Sequence, residues 1–353
     1  MSKLSSAFFS LPFRKSQKAI ASFLSFTTLA LNLSMSPAIA GDPFRTQKTH
    51  NIGPKTEAAF KAMFQDGNYK LAKDFLTQAV STESNEPLVY AMLASLSYMT
   101  NDLSGLNNYA TKTRKVAETL SQTDSLRGNI YIAVSIFLEG SYFLAKDGSV
   151  TGGTKALSKL REVFQYLDNA EKIDANDPEL NLLKGYMDLL LATNLPFSNP
   201  SDAISRLQDK GKPNYLSNRG IAIGYRDLKQ YDQALQYVDK ALQETPNNPE
   251  IYFLKAQILV NKGRNLQDTG EKNKDNNRLM QAQNLFQQAQ KSFQIATAKS
   301  NQLPKNLVKD MSFEMCRNDT RINNKLTIED CRKIRTSLTN IAGEWGPDRI
   351  PSL

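Results

Sequence analysis

Side chains suited to chemistry near neutral pH are scarce in this chain: one histidine, His50, and two cysteines, Cys316 and Cys331. A lone imidazole could serve as a general base, but His50 stands in a polar stretch read below as a linker, with no triad pattern around it. Two cysteines and one distant histidine cannot complete a tetrahedral zinc shell. The cysteines lie 15 residues apart and are the only pair. In an oxidising compartment they form one disulfide worth on the order of 3 kcal/mol for a loop of that length. A redox-active pair would more often read Cys-x-x-Cys in a positive, exposed setting, so the bond is expected to be structural. Thr151-Gly152-Gly153-Thr154-Lys155 lacks the spacing of a phosphate loop and reads as a flexible turn before a helix. Glu329-Asp330 reads as acids at a helix N-terminus. Asn318-Asp319-Thr320 matches the glycosylation acceptor, a pattern common by chance. No catalytic residue, metal site or cofactor is therefore expected.

The compartment follows from the first 40 residues. Arg14, Lys15 and Lys18 precede a 15-residue apolar stretch, residues 19–33. Pro37 breaks it, and Ala38-Ile39-Ala40 offers the small residues of a signal-peptidase site, with cleavage after Ala40. The stretch is shorter than the ~20 residues that span a bilayer. Arg14-Lys15 is not a twin-arginine pair, so ordinary export is expected, into a periplasm or, in a cyanobacterium, the thylakoid lumen. Of the net charge of +9, four units belong to Lys3, Arg14, Lys15 and Lys18, which leaves +5 on the mature chain. So mild a bias is no nucleic-acid footprint. Residues 130–145 form the longest apolar run after residue 40, but Glu139 and Gly140 interrupt it. That reads as a buried helix rather than a membrane span.

What positions such side chains is a series of helices. From residue 55 to about 302 apolar residues recur every three or four positions, and nothing alternates for long enough to make a sheet. Short breaks fall at Asp66-Gly67-Asn68, Glu86-Pro87, Asn101-Asp102, Asp177-Pro178 and Asn248-Pro249. The clearest unit is residues 215–248. Small Ala222, Ala234 and Ala241 let two helices approach, Tyr225 and Val238 fill the gap, and Pro246 ends the second helix. Weaker copies carry Ala59, Phe60, Met63, Ala72, Leu76 and Ala79 in the first unit, and Leu106, Ala110 and Thr113 in the second. Further on, Val163, Leu167 and Ala170 mark a second helix whose partner is residues 121–145. The helix opening at Pro249 is followed by a polar insertion, residues 264–277, before Ala282, Phe286 and Ala289 resume the pattern. After Pro304 the repeat is lost. Thr327 to Asp330 resembles a capping box, and Ile328, Ile334, Leu338, Ile341 and Trp345 make an apolar stripe fit to cover the last repeat.

These spacings resemble the tetratricopeptide repeat family, with Asn218 where that family often has tryptophan. The resemblance implies an all-α fold, a right-handed α-solenoid of helix–turn–helix repeats with a C-terminal capping helix. The expected organisation is a signal peptide over residues 1–40, a linker over 41–54, repeats over 55–303 and a cap over 304–353. In that family the first helix of each repeat lines a concave groove that holds an extended peptide or a partner helix. Carried over by position, groove residues include Leu88, Tyr98, Tyr186, Arg219, Ile223, Arg226, Phe253 and Gln257. The resemblance implies a non-enzymatic, extracytoplasmic scaffold or assembly factor with a protein or peptide partner. Its apolar anchors would bind, and Arg219 and Arg226 would set orientation. The alternatives are a secreted enzyme or enzyme subunit and a carrier of a small apolar ligand.

Overall fold

The computed structural model describes residues 41–194, 200–323 and 325–350. The expected signal peptide and its cleavage point at Ala40 lie outside the described residues. Those residues form thirteen α-helices and no strand, an all-α helical-repeat solenoid. The helices pair in sequence. α1 (Pro54–Phe60), continued by a π-helical turn (Lys61–Gln65), packs on α2 (Tyr69–Thr82), and α3 (Pro87–Thr100) packs on α4 (Leu103–Leu120). Next come α5 (Ser125–Ile173), then α6 (Pro178–Asn194) with α7 (Pro200–Asp209), and α8 (Asn214–Asp227) with α9 (Tyr231–Glu244). The last pairs are α10 (Pro249–Asn273) with α11 (Asn276–Thr297), and α12 (Lys305–Asn323) with α13 (Ile328–Thr339).

The breaks read from the sequence are helix N-caps. The side chains of Asn68, Glu86, Asp102 and Asp177 each accept a backbone N–H of the helix they open, at 2.8–3.0 Å, and Asp124 caps α5 in the same way. A capping side chain that satisfies such an orphan donor is worth ~1 kcal/mol. The small residues behave as their spacing requires. Ala222, Ala234, Val238 and Ala241 are buried together, as are Ala59, Ala72, Leu76 and Ala79. Thr327 and Asp330 complete a capping box, and Cys316 is bonded to Cys331 with Cα atoms 5.4 Å apart. Ile334 and Leu338 of the C-terminal stripe are buried, while Ile328 stays half exposed at the helix start.

Three expectations give way. The turn expected at residues 151–155 is helical. The chain instead reverses at Gly148, whose φ of 76° and ψ of −177° only glycine adopts readily. α5 is thus two arms of a hairpin, which explains how a helix apolar and long enough to cross a membrane comes to be packed in the core. The polar insertion of residues 264–277 is also mostly helix: it lengthens α10 to Asn273 and ends where Lys274 turns left-handed. Finally, the linker of residues 41–54 is not a solvated tether, since Asp42, Phe44, Arg45 and Ile52 are buried.

The array closes on itself. Asn248, the cap of α10, donates to Phe64 O at 3.0 Å and Gln65 O at 3.2 Å, and Tyr69 donates to Glu250 Oε2 at 2.6 Å. Gly67, at φ 63°, lies where a Cβ would come within 2.7 Å of Asn248 Oδ1 and Pro249 Cδ. Further along, Asn306 of α12 donates to Met99 O of α3 at 3.1 Å. First and last units touch, so the inner helices face one another across an interior narrower than an open groove.

Candidate functional site

Where α1, α3, α5, α6 and α8 converge, their side chains enclose an apolar cavity of about 110 Å³. Phe44, Phe60 and Phe64 wall one side, with ring centroids 5.0 and 4.8 Å apart in sequence. Leu88, Ala91, Met92, Leu182 and Tyr186 form much of the rest. Val134, Phe137 and Leu183 also line it and are partly exposed, which gives the cavity a solvent-facing side. At ~24 cal/mol per Å³ of void, a cavity of about 110 Å³ costs the empty fold roughly 2–3 kcal/mol. An apolar group placed inside would recover that cost.

One end of the interior is closed by a buried ionic cluster. Arg45 donates to Asp177 Oδ2 through Nε at 2.8 Å, to Asp42 Oδ2 at 2.9 Å and to Glu179 Oε2 at 3.1 Å. Arg127 grips both oxygens of Glu86 at 2.8 and 3.0 Å and reaches Glu179 Oε2 at 3.3 Å. Tyr131 donates to Glu179 Oε1 at 2.5 Å. Glu86 and Asp177 are also helix caps, so the positive ends of α3 and α6 lie against these carboxylates. Burial, reinforced by Glu179, pushes the Tyr131 phenol well above its usual range. Burial likewise raises Asp177, with Arg45 opposing. For both arginines burial is outweighed by their carboxylate partners, Glu179 foremost, and they stay charged. Tyr131, Arg45 and Arg127 thus keep their protons near pH 7. The cluster ties residues 42–45 to helices some 130 positions away and can orient helices, but it is not poised for acid–base turnover.

Six of the eight expected groove residues are nearly sealed. Leu88, Tyr186, Arg219, Arg226, Phe253 and Gln257 are each at most 8% exposed; Tyr98 and Ile223 are partly exposed. Leu88, Tyr186 and Arg219 line the large cavity. Arg219, Ile223, Arg226, Phe253 and Gln257 come together around a smaller recess between α8 and α10, and Tyr98 lines neither. The arginines are turned to partners within the chain. Arg219 meets Glu250 at 3.4 Å, and Arg226 donates to Gln257 Oε1 at 2.9 Å and to Asp227 Oδ1 at 3.0 Å. Glu250 and Gln257 each lie 31 residues beyond their arginine, about one repeat, and that offset was the signal by which the sequence could have paired them. Tyr186 donates to Leu216 O at 2.7 Å, and burial, opposed by Arg219, pushes its phenol up to about 12. The ionic cluster carries no local signal: Glu86 and Asp177 read as helix breaks, Asp42 falls in a stretch without periodicity, and Asp177 and Glu179 stand far from Arg45 in sequence. Among the described residues no group of three His, Cys, Asp or Glu could hold a metal ion.

The tetratricopeptide repeat family model matches residues 225–265, which cover α9 and the first part of α10. No curated protein and no solved structure matches the chain.

Proposed function

We propose that the protein is a non-enzymatic scaffold or assembly factor of an extracytoplasmic compartment, a periplasm or thylakoid lumen, holding a protein or peptide partner at the solenoid's inner face. The tetratricopeptide repeat match supports an interaction scaffold. The observation that carries the reading is the apolar cavity among the inner helices, bounded by the expected groove residues Leu88 and Tyr186. A pocket of this kind receives one aliphatic or aromatic anchor, the type of contact that dominates interface energies. Tyr98 and Ile223, partly exposed, supply the surrounding contacts. Arg219, Arg226 and Gln257 serve within the fold, holding α8 and α10 in register. Phe253 backs them, its ring 6.0 Å from that of Phe293. Export is supported by the charged, apolar and Ala-x-Ala order of residues 1–40. The Cys316–Cys331 bond also suits an oxidising compartment.

A second reading, carriage of a small apolar ligand, is favoured by the same cavity, because voids of ~150 Å³ lined by Leu, Ile and Phe take up benzene. One experiment separates the two. A photo-crosslinking residue replaces Tyr98 in the native host, with and without Ala91→Leu, which fills part of the cavity. A single protein adduct that disappears in the Ala91→Leu background supports the scaffold. Absence of any adduct, together with uptake of the fluorescent probe N-phenylnaphthylamine by the purified protein that Ala91→Leu abolishes, overturns it in favour of the carrier.

A further inference from the structure

Buried arginines are matched by carboxylates in the ionic cluster and in the recess beside α8, as the cost of desolvating a charge requires. Arg321, partly buried, forms no such ion pair. It lies on α12, with its guanidinium over the Phe286 ring of α11 at 5.8 Å and Nη1 donating to Arg317 O at 2.7 Å. Arg317, one turn earlier, sits over the Phe313 ring at 5.9 Å. Gly263 of α10 packs against the same Phe286 ring, since a Cβ there would stand 2.7 Å from Phe286 Cε1, and Arg264 follows it. Three arginines thus stand near one another where α10, α11 and α12 meet, Arg317 and Arg264 both acting on the charge of Arg321. Among the described residues none of the three forms an ion pair, and the residues outside that range contain no aspartate or glutamate. The nearby Arg335, also over Phe313, is satisfied by Asp310 at 2.6 Å.

We propose that Arg264, Arg317 and Arg321 form a binding site for a phosphate- or sulfate-type oxyanion. The site stands apart from the interior cavity and is independent of the function proposed for it. Guanidinium forks match tetrahedral oxyanions in geometry as well as charge. The exposed Arg264 offers access, while the partly buried Arg317 and Arg321 supply the more desolvated contacts. Burial, then Arg317 and Arg264, lower Arg321 to about 10, with Glu314 offsetting them. It therefore remains charged at neutral pH, and Glu314 only partly offsets the two neighbouring guanidiniums.

The test is calorimetric titration of the full mature chain with inorganic phosphate and with sulfate, at fixed ionic strength set by chloride. The wild type is expected to bind one anion saturably. Arg321→Gln is expected to weaken that binding at least about tenfold and Arg264→Gln about threefold, as loss of charge-assisted bonds implies. Arg332→Gln, at an exposed site on α13, is expected to bind as the wild type. Because Arg264 is exposed, its variant keeps the test valid should Arg321→Gln fail to fold. Vesicles of phosphatidic acid identify the source. Association that inorganic phosphate displaces assigns the site to a lipid headgroup, and saturable phosphate binding without vesicle association assigns it to the free anion. No saturable heat from either anion in the wild type, or equal binding by wild type and Arg264→Gln, overturns the proposal.

Discussion

Replacing Arg127 by methionine keeps the apolar stem and removes the charge from the best-saturated point of the fold. Arg127 is 2% exposed, Glu86 7% and Glu179 0%. The substitution deletes the bidentate grip on Glu86 and the longer contact to Glu179. The two acids are not left equally stranded. Glu179 keeps Arg45 at 3.1 Å and the Tyr131 hydroxyl at 2.5 Å, whereas Glu86 keeps the Leu88 amide at 2.9 Å. Breaking a buried pair from one side costs about 3–5 kcal/mol; with a single carboxylate left without a counter-charge, the lower part of that range, about 3–4 kcal/mol, is expected. At roughly 2 °C per kcal/mol for a chain of this size, Tm should fall by about 6–8 °C, read by circular dichroism at pH 7. Adding Glu86→Gln should recover more than half of the loss, and adding Glu179→Gln clearly less. A fall below ~2 °C, or equal recovery by the two double variants, would show that this cluster does not bear on stability as its geometry requires.

Two further outcomes are expected. Serine at both Cys316 and Cys331 should lower urea-unfolding stability by about 3 kcal/mol for a 15-residue loop, and reductant should shift the wild type equally while leaving the variant unmoved. Burial raises Asp124, but hydrogen bonds from His50 and from the Arg127 amide outweigh it, so its folded pKa lies below the usual 3.8; Lys184 and Arg206 likewise outweigh burial at Glu171. Such groups contribute stability above their unfolded pKa that is lost as pH falls through the folded value, so Tm should decline below about pH 4. Asp124→Asn, which retains a capping acceptor, should flatten that decline in a Tm series from pH 6 to 3. Asp177, raised by burial, acts with the opposite sign: its folded form takes a proton more readily, so it favours the folded state as pH falls.

The repeats were legible because close helix approach is written in residue size at fixed spacing, as at Ala222, Ala234 and Ala241. The capping box at Thr327 was legible because it closes within four positions. What the sequence concealed is long-range. Residues 41–53 have no periodicity, and their content lies in Asp42, Phe44 and Arg45, two of whose partners, Asp177 and Glu179, stand more than 130 positions away. Closure of the solenoid sums small rotations at every helix interface, and no single residue type announces it. The burial of Leu88, Tyr186, Arg219, Arg226, Phe253 and Gln257 depends on that closure. Arg219 and Arg226 therefore read as free for a partner when Glu250 and Gln257, one repeat later, hold them.

The junction at Gly67 and Asn248 has a consequence for how this chain can change over generations. An open solenoid gains or loses units with little penalty, because each repeat answers only to its neighbours and stability grows as a sum. Here the turn after the first helix must arrive against the cap of α10, some 180 residues later, with no space for even a methyl group at Gly67. A duplicated or deleted repeat would carry the two ends past each other, so the unit number is fixed much as strand number is in a closed barrel. The same junction makes folding less local. Contacts so distant in sequence form late and slowly, and the central units gain their full stability only when the first and last have met.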